Sequence, residues 1–280
     1  MKRFLVALRR RLPLLFPVVA VAALALPSAV AARPGAEDAY PVKPTIVLVH
    51  GAWADGSSWN GVTQRLQEAG YPVRVPPNPL RNLAGDSETI ANFLSTIKGP
   101  IVLAGHSYGG AVITNAARGN ANIRALVYVD AFAPDEGEKV VELVGDDSIL
   151  AGDPGLVFDF VPFPGAAEDD ADLYLKESVF VSGFADGVPP EQARVLWAAQ
   201  RPLVASASNQ PSGPPVWKTI RSWYVVGTQD QVIPEAQQLF MAERAGSAVT
   251  KVDAGHLSLI TRPDEVTAVI LDAVKNTTAG

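Results

Sequence analysis

The sequence predicts an α/β fold, with a mostly parallel sheet of about six strands flanked by helices and an inserted helical cap. Three observations support this prediction. Six short apolar runs, most of them without polar alternation, fit strands that are covered on both faces. Amphipathic segments separate the runs, as in repeated strand–helix–strand units. One long interval, 134–219, is rich in Pro, Gly and acidic residues and breaks the alternation.

The secondary-structure elements follow in chain order. Strands are predicted over 46–49, 73–75, 101–104, 125–129, 223–226 and 249–252. A first helix keeps Trp59, Val62 and Leu66 on one face and ends at Gly70, and a second begins at the caps Asp86 and Ser87 and ends at Gly99. A third has Pro234 in its first turn and ends at Gly246, and 264–274 form a closing helix.

The domain organisation is a core of 45–133 and 220–280 with a cap of 134–219 inserted in it. A structureless loop of this length is improbable in a compact domain, so the interval is predicted to fold. Within it, 172–179 and 191–199 have helical patterns. The cap carries seven aromatic residues, most of which are expected to form its own small core: Phe158, Phe160, Phe163, Tyr174, Phe180, Phe184 and Trp197.

The first 32 residues are predicted to be a signal peptide. Five basic residues lie within the first 11 positions, an apolar stretch covers 12–26, and small residues at 28–32 place the cleavage after Ala31 or Ala32. A retained membrane anchor is the alternative, because 12–32 approaches spanning length, but three prolines and the small-residue end argue against it. We therefore expect a secreted or periplasmic protein, with no stable membrane association after cleavage and a linker over 33–44.

Composition excludes several kinds of chemistry. The chain has no cysteine, so disulfides, thiolate metal sites and thiol nucleophiles are excluded. Of its 23 basic residues, five lie in the leader, which leaves 18 against 29 acidic residues. A protein this acidic is not expected to bind nucleic acid. Imidazole chemistry depends on three histidines, namely His50, His106 and His256.

The strongest motif is Gly105-His106-Ser107-Tyr108-Gly109, between the strand 101–104 and the helical segment 111–117. A Gly-x-Ser-x-Gly sequence recurs by chance, but a preceding strand and a following helix make it a nucleophile elbow. The flanking glycines leave room for a tight, strained turn that lifts the serine hydroxyl above the sheet. Ser107 is therefore the predicted nucleophile.

A serine nucleophile needs a base, and the base needs an orienting acid. At such an elbow the chain order is Ser, then Asp or Glu, then His, which selects His256. His106 adjoins the nucleophile but is expected to point away from it, and His50 is expected to brace a turn. The favoured acid is Asp230, after the strand 223–226. Asp130, at the end of the preceding strand, is the competitor, and its alternative role is structural, capping the turn at Ala131.

Acyl transfer also needs hydrogen-bond donors for the developing oxyanion. One is expected to be the backbone N–H of Tyr108, and the other to come from the loop after the first strand, with Ala52 preferred and Trp53 as the alternative. Trp53 and Trp197 are candidates for the substrate pocket.

Four motifs in this order, HGAW, GHSYGG, GTQD and AGHLSLI, resemble the α/β-hydrolase superfamily over about Thr45 to Val274. The stretches VPPNPL, LVYVDAFAPDEGE and AAQRPL are similar to its small bacterial serine esterases, related to plant methyl-ester esterases and hydroxynitrile lyases. The resemblance implies a triad of Ser107, His256 and Asp230, an oxyanion hole at Ala52 and Tyr108, no cofactor or metal, and hydrolysis of small-molecule carboxylic esters.

Departures from related chemistries narrow this expectation. The elbow carries Ser107 where dehalogenases and epoxide hydrolases of the fold have Asp. Gly51 and Leu257 stand where the lyases have Thr and Lys, so cyanohydrin cleavage is not expected. The leading hypothesis is a carboxylesterase acting on small or medium esters. An amidase or lactonase would use the same residues, and a non-catalytic binding protein of this fold is the alternative from another class.

Overall fold

A computed structural model describes residues 42–277, which belong to one compact unit. The leader and most of the linker lie outside these residues. The strands are β1 (Thr45–Val49), β2 (Val73–Arg74), β3 (Ile101–His106), β4 (Ile123–Val129), β5 (Phe158–Val161), β6 (Asp172–Leu175), β7 (Leu203–Val204), β8 (Ser222–Gly227) and β9 (Ala248–Val252).

Within residues 42–277, ten α-helices connect and cover these strands. They are α1 (Asn60–Glu68), α2 (Leu83–Ser95), α3 (Tyr108–Ala116), α4 (Pro154–Val157), α5 (Glu177–Val179), α6 (Pro190–Ala198), α7 (Ala205–Ser208), α8 (Glu235–Arg244), α9 (Ser258–Thr261) and α10 (Pro263–Thr277). Single turns of 3-10 helix occupy Gly56–Trp59, Val140–Leu143, Ile149–Ala151 and Val216–Lys218, and a π-helical turn occupies Phe180–Phe184.

The central sheet confirms the predicted fold class. Six strands pair in parallel in the order β2-β1-β3-β4-β8-β9. Strand β3 is buried at every residue and β8 likewise, because helices cover both faces of the sheet. All six carboxyl ends therefore meet at one edge, where a parallel sheet places its ligand sites. Within residues 42–277, no helix is both long and apolar enough to cross a bilayer.

The cap contains a small sheet that the sequence analysis did not predict. Strands β5, β6 and β7 form an antiparallel sheet in that order. The segment expected to be helical begins with β6, in which Leu173 and Leu175 point inward and alternate with the more exposed Asp172 and Tyr174. That period of two is typical of a half-buried strand, so the helical prediction for 172–175 was wrong. The prediction of a helix at 191–199 is confirmed by α6.

The start of α2 also differs from the prediction. The helix begins at Leu83, and the Asn82 side chain caps it by accepting a hydrogen bond from the Gly85 N–H at 2.7 Å. Asp86 and Ser87, the expected caps, lie inside the helix and are buried. Asp86 accepts hydrogen bonds from the Tyr108 hydroxyl at 2.9 Å and from the Arg81 N–H at 3.1 Å.

Candidate active site

Ser107 lies in the turn between β3 and α3, with φ 53° and ψ −127°. A serine in this region of backbone space is strained, and the strain persists only where the surroundings fix it. Those surroundings are crowded backbone: a Cβ added at Gly105 would lie 2.5 Å from the Gly109 carbonyl oxygen, and one at Gly109 would lie 2.5 Å from that of Val49. The glycines of the motif therefore permit the tight turn that the sequence predicted.

The loop after β1 runs directly against this turn. A Cβ added at Gly51 would lie 2.6 Å from the Ser107 Cβ, so only glycine allows the approach. The Trp53 N–H donates to the Arg201 carbonyl at 2.9 Å. Within residues 42–277, the N–H groups of Ala52 and Tyr108 donate to no protein acceptor. These two N–H groups flank Ser107 and are free to bind an oxyanion, whereas that of Trp53 is already used.

Asp230 and His256 are in direct contact. His256 Nδ1 lies 2.8 Å from Asp230 Oδ2, and both side chains are fully buried. The carboxylate also accepts hydrogen bonds from the backbone N–H groups of Val232 at 2.7 Å and Ile233 at 2.9 Å, and from Gln238 Nε2 at 2.8 Å. Four donors thus converge on Asp230, which fixes its orientation and favours its ionised form.

Burial and hydrogen bonding shift the pKa of Asp230 in opposite directions. Burial raises the pKa of Asp230, while the N–H groups of Ile233 and Val232 lower it. Burial lowers the pKa of His256 to about 3. We assign the negative charge to Asp230, because its four hydrogen-bond donors stabilise the carboxylate. His256 is then a neutral imidazole with its proton on Nδ1. The Nε2 atom is then the lone-pair nitrogen, as a general base requires.

His256 Nε2 has no hydrogen-bond partner within the described residues, although it is buried. Its ring packs against those of Phe184, with centroids 5.2 Å apart, and His106, 4.8 Å apart. The π-helical turn Phe180–Phe184 carries Phe184 onto the imidazole. Ser107 is 2% exposed. The aromatic side chain shields the imidazole from water, and Nε2 is left as an unused acceptor for the proton of the Ser107 hydroxyl.

The two other histidines hold the backbone of the site. The His106 ring lies beside that of His256, and its Nε2 donates to the His256 carbonyl at 2.9 Å. His50 Nδ1 donates to the Gly51 carbonyl at 2.9 Å, and its Nε2 accepts from the Asn78 N–H at 3.0 Å. Burial lowers the pKa of both rings. The bracing contact expected of His50 is present, whereas the contact of His106 was missed because it joins residues 150 positions apart.

A cavity of about 500 Å³ opens above Ser107. Trp53 stacks on Phe158, with ring centroids 5.8 Å apart, and the Trp53 Nε1–H donates to the Leu173 carbonyl at 2.8 Å. The cavity wall is mainly apolar; its aromatic and charged members are Trp53, Tyr108, Phe132, Phe158, Phe160, Glu142 and Asp146. Trp197, the other pocket candidate, lies instead in a separate surface groove with Tyr174, and its Nε1–H donates to the Leu175 carbonyl at 2.9 Å.

Asp130 does not contact the imidazole. Asp130 was expected to cap the turn at Ala131. Its Oδ2 instead accepts hydrogen bonds from the N–H and hydroxyl of Ser258. No group of three or more His, Asp or Glu side chains that could hold a metal ion is found in the part of the chain that the structure describes. The arrangement at the sheet edge is thus a serine at a strained turn, two free N–H donors and a buried imidazole–carboxylate pair.

Comparison with known proteins identifies a family and several relatives that this chain resembles. The alpha/beta hydrolase family matches residues 46–269. A carbendazim hydrolyzing esterase from Nocardioides sp. is 36% identical over 111 residues, which span 35% of this chain and about half, 46%, of that protein. A pyrethroid hydrolase from Sphingobium wenxiniae is 24% identical over 257 residues, which span 81% of this chain and 86% of that protein.

Solved structures agree with the fold described above. The crystal structure of polyneuridine aldehyde esterase matches with a TM-score of 0.69 at 19% identity, covering 82% of this chain and 98% of that one. An extracellular alpha/beta-hydrolase from a Paenibacillus species matches with a TM-score of 0.65 at 20% identity, with the same coverage of both chains. Since the family match covers most of the chain and the sheet has the same architecture, this protein belongs to the alpha/beta hydrolase family.

Proposed function

We propose that this protein is a serine hydrolase that cleaves carboxylic esters of small or medium size. The observation that carries the proposal is the strained Ser107 beside two N–H groups without acceptors and a buried His256–Asp230 pair. Each part supplies something that acyl transfer requires: a nucleophile, a base with an orienting acid, and donors for an oxyanion. The esterases and hydrolases among its relatives support the same reaction class.

The reaction follows from these positions. Ser107 Oγ attacks the ester carbonyl carbon while its proton passes to His256 Nε2, and the N–H groups of Ala52 and Tyr108 bind the carbonyl oxygen as it becomes an oxyanion. When the tetrahedral intermediate collapses, the carbon–oxygen bond to the alcohol breaks and the imidazolium returns its proton to the leaving alcohol. Water then attacks the acyl-enzyme by the same route, giving the carboxylic acid and free Ser107. Asp230 stabilises the imidazolium in both halves.

The cavity indicates which esters fit. A volume of about 500 Å³ lies within the range of small-molecule sites, and its wall is apolar and aromatic around Trp53 and Phe158. The cap closes over the serine, which argues against polymeric substrates. We therefore propose soluble esters with an apolar or aromatic acyl or alcohol group as substrates, in preference to emulsified long-chain triglycerides.

The test is hydrolysis of a chain-length series of p-nitrophenyl acyl esters by the purified protein, beside Ser107→Ala. We expect turnover with short and medium chains that Ser107→Ala abolishes. The matched control is Ser222→Ala, because Ser222 is also buried but lies at the start of β8, at the opposite edge of the sheet from the site. Turnover that persists in Ser107→Ala would contradict the proposal, and a folded protein with no turnover on any ester would redirect the search to amides, lactones or a binding role.

We also propose that the protein is exported and loses its first 31 or 32 residues. The basic, apolar and small-residue order of the leader supports this. Mass spectrometry of the protein recovered outside the cytoplasm should give a chain beginning at Ala32 or Arg33. An intact N-terminus on membrane-bound protein would instead favour the retained anchor.

A further inference from the structure

A second buried carboxyl group lies beside the proposed triad acid. Asp130 directly follows β4 and Asp230 follows β8, and these two strands are neighbours in the sheet. Asp130 is fully buried and has φ 45°, a left-handed conformation that Asp tolerates better than most residues. Burying a carboxyl group is costly unless hydrogen bonds compensate. The proposed reaction gives Asp130 no role, so its contacts need a separate explanation.

Those contacts are concentrated on one residue. Asp130 Oδ2 accepts a hydrogen bond from the Ser258 hydroxyl at 2.5 Å and another from the Ser258 N–H at 3.2 Å. Ser258 stands two positions after His256 and begins α9. The contact joins residues 128 positions apart, so it fixes the loop of the imidazole to the strand ends of the sheet.

The other oxygen of Asp130 faces the start of the same loop. Asp130 Oδ1 has no hydrogen-bond partner among the described residues. A Cβ added at Gly227 would lie 2.9 Å from this oxygen, 2.9 Å from the Ala254 carbonyl oxygen and 3.1 Å from that of Gly255. Three oxygens therefore crowd one point, and Gly227 leaves room for them. Burial, and then the charge of Asp230, raise the pKa of Asp130, while the hydrogen bonds from Ser258 lower it.

His256 is thus restrained from three directions. Asp230 holds its imidazole at Nδ1, His106 holds its backbone carbonyl, and Asp130 holds Ser258 immediately downstream. We propose that Asp130 is a positioning residue which, through Ser258, sets the loop so that His256 Nε2 meets the proton of Ser107. This inference rests on the proposed function, because it gives Asp130 a purpose in the same acyl transfer.

The test compares three variants with the wild type. Ser258→Ala removes the hydroxyl and keeps the N–H contact, Asp130→Ala removes both contacts, and Asp130→Asn keeps an oxygen that can accept both. An error of about 1 Å in the placement of a reacting group costs up to about 100-fold in rate. We therefore expect kcat to fall about 10-fold in Ser258→Ala and about 100-fold in Asp130→Ala. Asp130→Asn should recover kcat to within about threefold of the wild type.

Two readouts separate positioning from loss of folded protein. The residues that line the cavity include neither Asp130 nor Ser258, so KM should stay within about twofold while kcat falls. Labelling with a fluorophosphonate, which reacts covalently with an activated serine, counts the folded sites and measures their serine reactivity directly. Rates are then expressed per labelled site, with Ser222→Ala as a control for the loss of a buried hydroxyl contact elsewhere.

Three results would overturn the positioning role of Asp130. A wild-type kcat per labelled site in Asp130→Ala would overturn the proposal. A loss in Asp130→Ala with none in Ser258→Ala would assign the effect to backbone strain at φ 45° and also overturn it. Failure of Asp130→Asn to recover kcat in a folded protein would show that the Ser258 contact is not the cause. Failure of the proposed function is distinct, because the wild type itself would then neither turn over esters nor depend on Ser107.

Discussion

His256 illustrates how burial sets chemistry at the scale of one residue. Its imidazole must be neutral to accept the Ser107 proton, so activity is lost as the pH falls through the pKa of the ring. Burial lowers that pKa to about 3, which moves the loss toward acid. We predict that the acidic limb of kcat/KM lies below pH 6.5, the ordinary pKa of histidine. The measurement is kcat/KM from pH 4 to 8 with a substrate that does not ionise in this range.

Stability must be followed beside activity in that experiment. Circular dichroism at each pH shows whether the protein is still folded, so that acid unfolding is not mistaken for titration of the base. A half-maximal kcat/KM at or above pH 6.5 in folded protein would contradict the prediction and show that the charge of Asp230 outweighs burial at His256.

Gly51 gives a second prediction at this scale. A methyl group there would lie 2.6 Å from the Ser107 Cβ and 2.8 Å from the His106 carbonyl oxygen, so the loop carrying Ala52 must move away. We predict that Gly51→Ala lowers kcat at least about 10-fold, because the oxyanion donor leaves its place. Gly152→Ala is the control, since its nearest neighbour would be a Val157 methyl at an ordinary 3.5 Å. Equal kcat values for the two variants would refute the prediction.

The sequence predicts some residue contacts and not others. The order of Ser107, Asp230 and His256 follows from a local motif and from chain order, and the structure places Asp230 against His256. The Asp130–Ser258 contact has no local sequence signature, because the two residues are 128 positions apart and follow different strands. Trp197 was misassigned for a related reason: an aromatic residue in a cap can face the cavity or the outer surface, and composition does not distinguish the two faces.

At the scale of the element, the start of α2 allows a stability prediction. Asn82 accepts from the Gly85 N–H, which no helical carbonyl can reach. Removing such a cap costs about 1 kcal/mol, so Asn82→Ala should lower the free energy of unfolding by about that amount. Asn82→Asp keeps an acceptor oxygen and should retain most of the stability. Urea unfolding measures both, and an Asn82→Ala protein as stable as the wild type would contradict the assigned cap.

The core elements were predictable and the small cap sheet was not, for a physical reason. The central strands β3 and β8 are apolar runs buried at every residue, a pattern that the sequence shows without knowledge of their partners. Strand β6 has only four residues, and two inward leucines can lie on a strand or a helix turn. Its pairing with β5 and β7 decides the matter, and that pairing is a tertiary contact.

At the scale of the whole molecule, charge should influence which esters are hydrolysed. The chain has 29 acidic and 23 basic residues, and among the described residues the cavity wall includes Glu142 and Asp146 but no Lys or Arg. A unit charge near another in water is worth about 1 kcal/mol at 4 Å, or about fivefold in rate. We predict that esters bearing a carboxylate have a lower kcat/KM than uncharged esters of the same shape, and that added salt narrows the difference.

A charge-neutralising pair of variants tests this prediction. Glu142→Gln combined with Asp146→Asn should raise kcat/KM for the anionic ester and leave the uncharged ester nearly unchanged. Lys139 lies 3.0 Å from Glu142, so Asp146 should contribute the larger share. Asp169→Asn is the control, because Asp169 is an exposed acid of the cap that does not line the cavity. An anionic ester hydrolysed as well as its uncharged counterpart would refute the role of charge.

The direct pairing of β4 with β8 has an evolutionary consequence. The chain leaves the sheet after β4 to build the cap and returns to it at β8, its immediate neighbour, with Leu126 opposite Ser222. The sheet therefore fixes both ends of the insertion in space, one at the carboxyl end of β4 and the other at the amino end of β8. The entropy of closing a longer loop between fixed ends grows only slowly with its length. Natural variation can thus lengthen, shorten or exchange the cap as a module while the chemistry at the strand ends is inherited unchanged.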